Sequence, residues 1–558
     1  MPDDYFIFLE NGKRLYGDDT YARINVAKIK RIEILNGASS ALYGTNAIGG
    51  VINIITDDAK NAINVSSDTR YASKGRFTQS VNIDVNTGKF GSYTSYRRQQ
   101  AEGWQLNPYE ENSKTHELEE TGKVASTGFY ANTVNQKFTF DATDKLSFYA
   151  RGGYYDNKTR RPYEAYDYNI LHETFNYGIG AQYMINKGNY ITADCYADHF
   201  SSSYCFFKDN KTYNGKAGEE QVRKRTRNHN LSIKGIFKLG NRHKLSVGTE
   251  YIVDVLKSQT DNIAKEDAYT LALFAQDEIK LLRNLQALIG VRYIYHENFK
   301  NHATPNVALM YKPGKFNFRA SYAAGFRTPT LSELYATDIA KKNDRLTIGN
   351  LDLKSEKNNY FSLSAEYVHE RFSVSVNAFY NNIRDMIDYN TIATGDKAME
   401  QYGHKEVRQR DNIAEAKVHG INVSANAYLG AGFNLSGGYT HLNTQDVELE
   451  QPIDKSIKNA YNINAQWAHS WKIYRLNINL NGRINSKRFS KSYGYAPEYQ
   501  LWDLNTRHSF NLKSVIIEPG CGMENLFDYM DDRPYNSNYA TLTPGRSFYI
   551  SLSLKFKS

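Results

Sequence analysis

The sequence predicts an all-β protein, a transmembrane antiparallel β-barrel of about twenty-two strands. Three observations carry that expectation. Period-2 alternation of apolar and polar residues recurs from about residue 60 to the end of the chain. The links between alternating segments are short and long by turns. No run approaches the roughly 18 apolar residues that a membrane helix needs, so a membrane-spanning form of this chain has to be a closed barrel, which satisfies its own backbone in lipid.

The alternation is plain in Phe372-Ser373-Val374-Ser375-Val376-Asn377-Ala378, where even positions are apolar and odd ones polar. Ile421–Ala427 repeats it, and the closing run Phe548–Phe556 keeps one apolar face throughout. Such stripes place one face in an apolar medium and the other on water or polar groups. Composition agrees. Hydrophobic residues are only 41% of the chain and mean hydropathy is −0.63, yet 13% of residues are aromatic and only 11 are Pro, as suits long strands with one wet face.

The short links carry turn residues: Asn186-Lys187-Gly188, Leu239-Gly240-Asn241, Lys312-Pro313-Gly314-Lys315 and Gly430-Ala431-Gly432. Between them the long polar links are expected at 100–122, 156–173, 200–226, 324–357, 382–412, 443–458, 484–501 and 524–545. Short turns on one side and long loops on the other are the pattern of outer-membrane barrels, with the short turns in the periplasm. About twenty-two strands enclose a lumen too wide for side chains to fill.

The net charge of +9 is spread along the chain. Its only short basic cluster, Arg223-Lys224-Arg225, reads as a solvated loop, so no nucleic-acid partner is expected. Three cysteines exclude a disulfide framework. Cys195 and Cys205 would bridge across a strand-to-loop bend, whereas in one extended strand they would lie roughly 33 Å apart. Cys521 reads as a small apolar residue. Met1-Pro2-Asp3-Asp4 lacks the basic and apolar regions of a signal peptide, and the expectation is an N-terminally truncated chain.

Before the barrel lies Arg31-Ile32-Glu33-Ile34-Leu35-Asn36-Gly37 through Gly44, Gly49 and Gly50 to Val51-Ile52-Asn53-Ile54-Ile55-Thr56. It reads as two alternating β segments, Ile32–Leu35 and Val51–Ile55, joined through small residues and glycines that permit tight bends. This stretch resembles the end of the plug domain of TonB-dependent outer-membrane receptors. Gly325-Phe326-Arg327-Thr328-Pro329-Thr330-Leu331-Ser332-Glu333-Leu334-Tyr335, followed by Gly349-Asn350-Leu351-Asp352-Leu353-Lys354-Ser355-Glu356, looks like that family's paired boxes. Glu524–Asp528 and Pro544-Gly545-Arg546 resemble its final loop and strand, and Phe556 resembles the aromatic offered to the barrel-assembly machinery, although Lys557 and Ser558 follow it.

The resemblance implies a plug part at 1–58 and a barrel at 59–558. It further implies a Gram-negative outer-membrane location, with capture of a chelated-metal nutrient by outer loops and import powered by the inner-membrane TonB–ExbB–ExbD complex. Iron–siderophore or haem is the expected ligand, with cobalamin next. A surface binding protein without transport is the alternative, because the energy-coupling box of the family lies in the front of the plug. A surface lipoprotein is a further partner of such receptors. No intrinsic cofactor is expected.

Candidate site residues follow. Arg31 and Glu33 point to one side of their strand and, by resemblance, latch the plug to the barrel wall; a solvated edge is the other reading. Arg160, Arg161, Tyr163, Tyr166 and Tyr168 cluster in one long link, where aromatics and arginine suit an anionic aromatic ligand. Haem receptors of the family commonly carry a histidine between the boxes, and residues 330–353 have none. His172, His296, His302, His404 and His441 lie in or beside long links; imidazole suits iron, and a solvated loop residue is the default reading among 13 histidines. Asp528, Asp531 and Asp532 near Glu524 lack the ordered spacing of a calcium loop. No Gly-x-Ser-x-Gly elbow, His-Glu-x-x-His or phosphate-binding glycine loop occurs, so no enzyme is expected.

Overall fold

The computed structural model describes residues 6–17, 19–26, 29–36, 48–56, 62–112, 115–340, 344–491, 493–538 and 541–557. Twenty-two antiparallel strands, from Ile63–Ala72 to Ser547–Lys557, pair in chain order. The last returns to the first, Leu552 opposite Thr69 and Phe556 opposite Val65. Closure leaves the wall no open edge, the condition for a sheet in lipid.

The two faces follow the alternation. On strand Leu285–His296, Ile289, Val291 and Tyr293 are about half exposed, while the alternate residues Arg292 and Ile294 are buried. On Ser547–Lys557 the outward stripe is Phe548, Ile550, Leu552, Leu554 and Phe556. These apolar side chains face the lipid, and the polar set lines the lumen.

Every inward connection is a tight turn, the longest being 142–145 and 312–315. The outer connections are more varied than the sequence suggests. Residues 259–262 and 297–299 are short links, and the loop expected over 156–173 shrinks to 161–167. The reason is strand length. Phe372–Thr394 and Glu406–Gly430 run 23 and 25 residues, more than twice the roughly 10 that cross a membrane, so they stand beyond it as a hairpin. A second hairpin, Thr337–Ala340 with Arg345–Ile348, leans on that extension by parallel pairing of Arg345–Ile348 with Glu406–Gln409.

Within the lumen the plug forms a four-stranded sheet: β1 (Phe6–Glu10), β2 (Lys13–Arg14), β3 (Ile29–Asn36) and β4 (Gly50–Thr56), in the order β2-β1-β4-β3. β3 and β4 are the two segments anticipated from the sequence, paired antiparallel with Ile32 opposite Ile54 and Leu35 opposite Val51. Gly50 has φ 142°, and a Cβ there would meet the Leu35 carbonyl oxygen at 2.5 Å, so this position needs glycine. Gly44 lies outside the described residues.

Cys195 and Cys205 sit on one strand, Asn189–Phe206, and all three cysteines are free, which settles the disulfide alternatives against a bridge.

Candidate functional site

The plug is fastened to one sector of the wall by buried polar contacts. The Arg23 guanidinium meets both oxygens of Asp198 at 3.1 and 3.2 Å, and Asp198 also accepts the Tyr16 amide at 3.0 Å. Both side chains are almost fully buried. Lys13 pairs with Asp194 at 2.8 Å. Asn25 donates to Asn82 and Ser95 at 2.9 and 2.7 Å, and Arg97 donates to the Ile24 carbonyl. Asp19 takes His172 at 2.8 Å and Asn157 at 3.0 Å. Gly17, at φ 80°, lies against the Phe200 ring so closely that a Cβ would come within 2.6 Å of it. Across the lumen Ile48 packs on Ile383 and Ala416.

These residues take the place of the expected latch. Arg31 and Glu33 pair with each other at 2.7 Å on the edge strand β3, and Glu33 accepts from Asn53 at 2.9 Å. Among the described residues their partners all lie in the plug, and both side chains are more than a third exposed. This is the solvated-edge arrangement. Gly49 lies next to Gly50 at the start of β4. The wall-binding plug residues were missed because single polar residues in a short segment carry no period.

Above the plug, an aromatic group lines the mouth. On strand Asn189–Phe206 the inward set is Asp194, Tyr196, Asp198 and Phe200, and two further steps of two reach Tyr204. Tyr168 stacks on Tyr204 with centroids 4.1 Å apart, and Tyr213 closes on both at 5.7 and 5.1 Å. Arg223 lies over Tyr204 and Tyr213 at 5.3 and 5.0 Å, and Arg161 over Tyr166 and Tyr168 at 3.9 and 5.0 Å. Two cations thus rest on the faces of four tyrosines.

Of the link residues singled out in the sequence, Arg161, Tyr166 and Tyr168 belong to this group. Tyr163 is exposed and stacks on Phe207 under Lys208. Arg160 is parted from it, lying 5.5 Å over Tyr130 on the outward face. Tyr204, Tyr213 and Arg223 were missed. Arg223 lies in the basic cluster assigned to a solvated loop; it is the bulged residue between the pairs Ser202–Lys224 and Ser203–Val222, and a single sequence carries no signal for a bulge.

The paired boxes fold into one buried knot at the rim. Arg327 ends strand Phe316–Arg327, and the helix Leu331–Tyr335 begins four residues after it through a capping box of Thr330 and Glu333. The Arg327 guanidinium meets Glu333 at 2.8 and 3.1 Å and Glu356 at 2.5 Å, and Glu356 also accepts the Ile387 amide at 2.8 Å. Burial would raise the Glu333 carboxyl, but the hydrogen bonds and charge of Arg327 outweigh it and hold the group below its usual range. Phe326 packs on Ala272 and Ile294, Leu353 on Leu334 and Ile387, and Pro329 is buried beside them. The Asn350 amide donates to the Glu333 carbonyl at 3.1 Å, tying the second box to the first.

The other candidates are held by protein partners. His404 Nδ1 lies 2.9 Å from Asp344, His441 Nδ1 2.9 Å from Asn459, and His302 3.2 Å from the Ser355 hydroxyl while stacked on Phe326. His296 accepts the Asn298 amide at 3.1 Å. Glu524 bridges Arg70 and Arg76, Asp531 pairs with Arg533, Asp528 accepts the Arg546 amide, and the Asp532 carbonyl accepts from Asn107. Phe556 stands on the lipid face.

Comparison with known proteins agrees with this architecture. The sequence matches the family described as TonB dependent receptor-like, beta-barrel, over residues 73–518, and the TonB-dependent receptor plug domain over residues 1–51. A mutant ferric enterobactin receptor (PfeA) of Pseudomonas aeruginosa superposes with a TM-score of 0.83 at 17% identity, covering 99% of this chain and 91% of that one. The siderophore receptor PirA of Acinetobacter baumannii gives 0.81 at 16% identity, again over 99% and 91%. The copper transporter OprC gives 0.78 at 11% identity, over 99% and 93%. At these identities the likeness is one of fold. Because the barrel match spans most of the sequence, the chain belongs to the TonB-dependent receptors, a family of outer-membrane plugged barrels that are receptors and transporters and not enzymes.

Proposed function

We propose that this receptor imports a chelated metal of the iron–siderophore class, with energy drawn from the TonB–ExbB–ExbD complex. The observation that carries the ligand class is the mouth group: two arginines lying on the stacked, inward Tyr168 and Tyr204. Aromatic faces take a flat chelating ring, and the guanidinium ions offset its negative charge. The siderophore receptors among the structural neighbours lie in the same direction. Energy coupling is supported by the plug tethers. Removing one partner of a buried ion pair such as Arg23–Asp198 costs about 3–5 kcal/mol, so a plug held by several such contacts does not shift on thermal motion alone.

Haem is the second reading, and one contact favours it. Asp344 holds Nδ1 of His404, as metal-binding histidines are held by carboxylates. Titration of the purified receptor with a ferric tricatecholate and with haem separates the two. The first reading expects saturable quenching by the tricatecholate, weakened about tenfold by Tyr204→Ala and by Arg223→Ala. A haem absorbance shift lost in His404→Ala, with no tricatecholate binding, would replace it.

A further inference from the structure

On another sector of the rim, four strands bring charges to one face. The register sets Asp338 opposite Thr347, Thr347 opposite Arg408, and Tyr389 opposite Arg410. Arg345 lies two residues before Thr347 and so shares this side. The opposite face is apolar, with Leu346, Ile348 and Val407 packed against Ala398 of the helix Gly395–Tyr402. The charged face, with Asp261 and Ser332, walls a cleft of about 160 Å³.

The charges in this cleft are kept apart. Arg408 is engaged by Glu406, but among the described residues Arg345, Arg410, Asp261 and Asp338 form no ion pair with one another or with any other side chain. Arg410 is spread over the Tyr389 ring at 3.7 Å, and the Asp261 carboxylate accepts the Ser332 hydroxyl at 3.1 Å. Arg345 Nε is buried with no hydrogen-bond partner. Two cations and two anions without an ion pair among them leave both signs for a guest to meet. At roughly 30 Å³ per water, the space holds a handful of waters, too little for a whole chelate and enough for a dipeptide-sized group.

We propose that this cleft is a subsite for a small zwitterionic group, its carboxylate on Arg345 and Arg410 and its ammonium on Asp338 and Asp261. The guest is either a free amino-acid-like solute or an arm of a larger ligand; the assignment does not depend on which chelate the mouth takes.

The test is calorimetric titration of the full-length receptor with glycylglycine, acetate and methylammonium as separate probes. The expected result is one saturable site for glycylglycine, with each single-charge probe at least about tenfold weaker. Arg345→Gln and Asp338→Asn, on different strands, each weaken glycylglycine by about tenfold, while Tyr204→Ala in the mouth leaves it unchanged. No saturable heat, acetate binding as well as glycylglycine, or parental affinity in both folded cleft variants would overturn the proposal.

Discussion

Arg327 shows what a motif residue does once its neighbours are known. It is a single cation enclosed by two carboxylates, Glu333 and Glu356, at a point where a strand, a helix and a returning strand meet. Arg327→Ala leaves both carboxylates buried without a counter-ion, and a loss of about 3–5 kcal/mol is expected, read as faster hydrogen exchange at the amides of Ser332–Tyr335. The pH dependence has a definite sign. Because the folded Glu333 carboxyl is held below its ordinary value, its contribution is complete above the unfolded value of about 4.3 and is lost as pH falls through the lower folded one. Exchange protection at this helix should therefore hold from neutral pH to about 5 and decline in more acid solution. The sequence contained the two boxes but not their pairing, since Glu356 lies 29 residues from Arg327. Arg160 and Arg161 make the same point more sharply. They are adjacent in the sequence, yet Arg160 ends a strand on its outward face and Arg161, the first residue of the link, turns onto the mouth tyrosines.

At the scale of elements, strands were legible and their ends were not. Alternation and turn residues located the hairpins, as in Phe372–Ala378 and Gly430-Ala431-Gly432, because lipid on one side enforces the period. Above the membrane that constraint ends, and strands 372–394 and 406–430 continue on hydrogen bonds and local packing that leave no such stripe. The plug tethers were illegible for another reason: Arg23 and Asp198 are 175 residues apart, and Arg23 sits in no patterned run. Their pairing predicts a measurable opening. Asp198→Ala leaves Arg23 buried and uncompensated, loosening the plug by about 3–5 kcal/mol. In planar bilayers the variant should show frequent large-conductance events where the parent is closed. Arg31→Ala, on the edge strand, should leave conductance at the parental level.

For the molecule as a whole, the lipid-facing band decides whether the barrel forms, and the plugged lumen decides what it can do. Leu552 stands in the outward stripe midway along the closing strand, so Leu552→Arg should cost about 2–4 kcal/mol, measured by refolding into vesicles under urea. On the function proposed above, movement of a ligand past a plug tethered by buried ion pairs requires work on that plug. The decisive experiment is uptake of a radiolabelled ferric tricatecholate by cells carrying the full receptor, with the TonB complex intact or deleted. The account predicts accumulation only when the complex is present, with binding at the surface retained in its absence. Equal accumulation in both strains would contradict it.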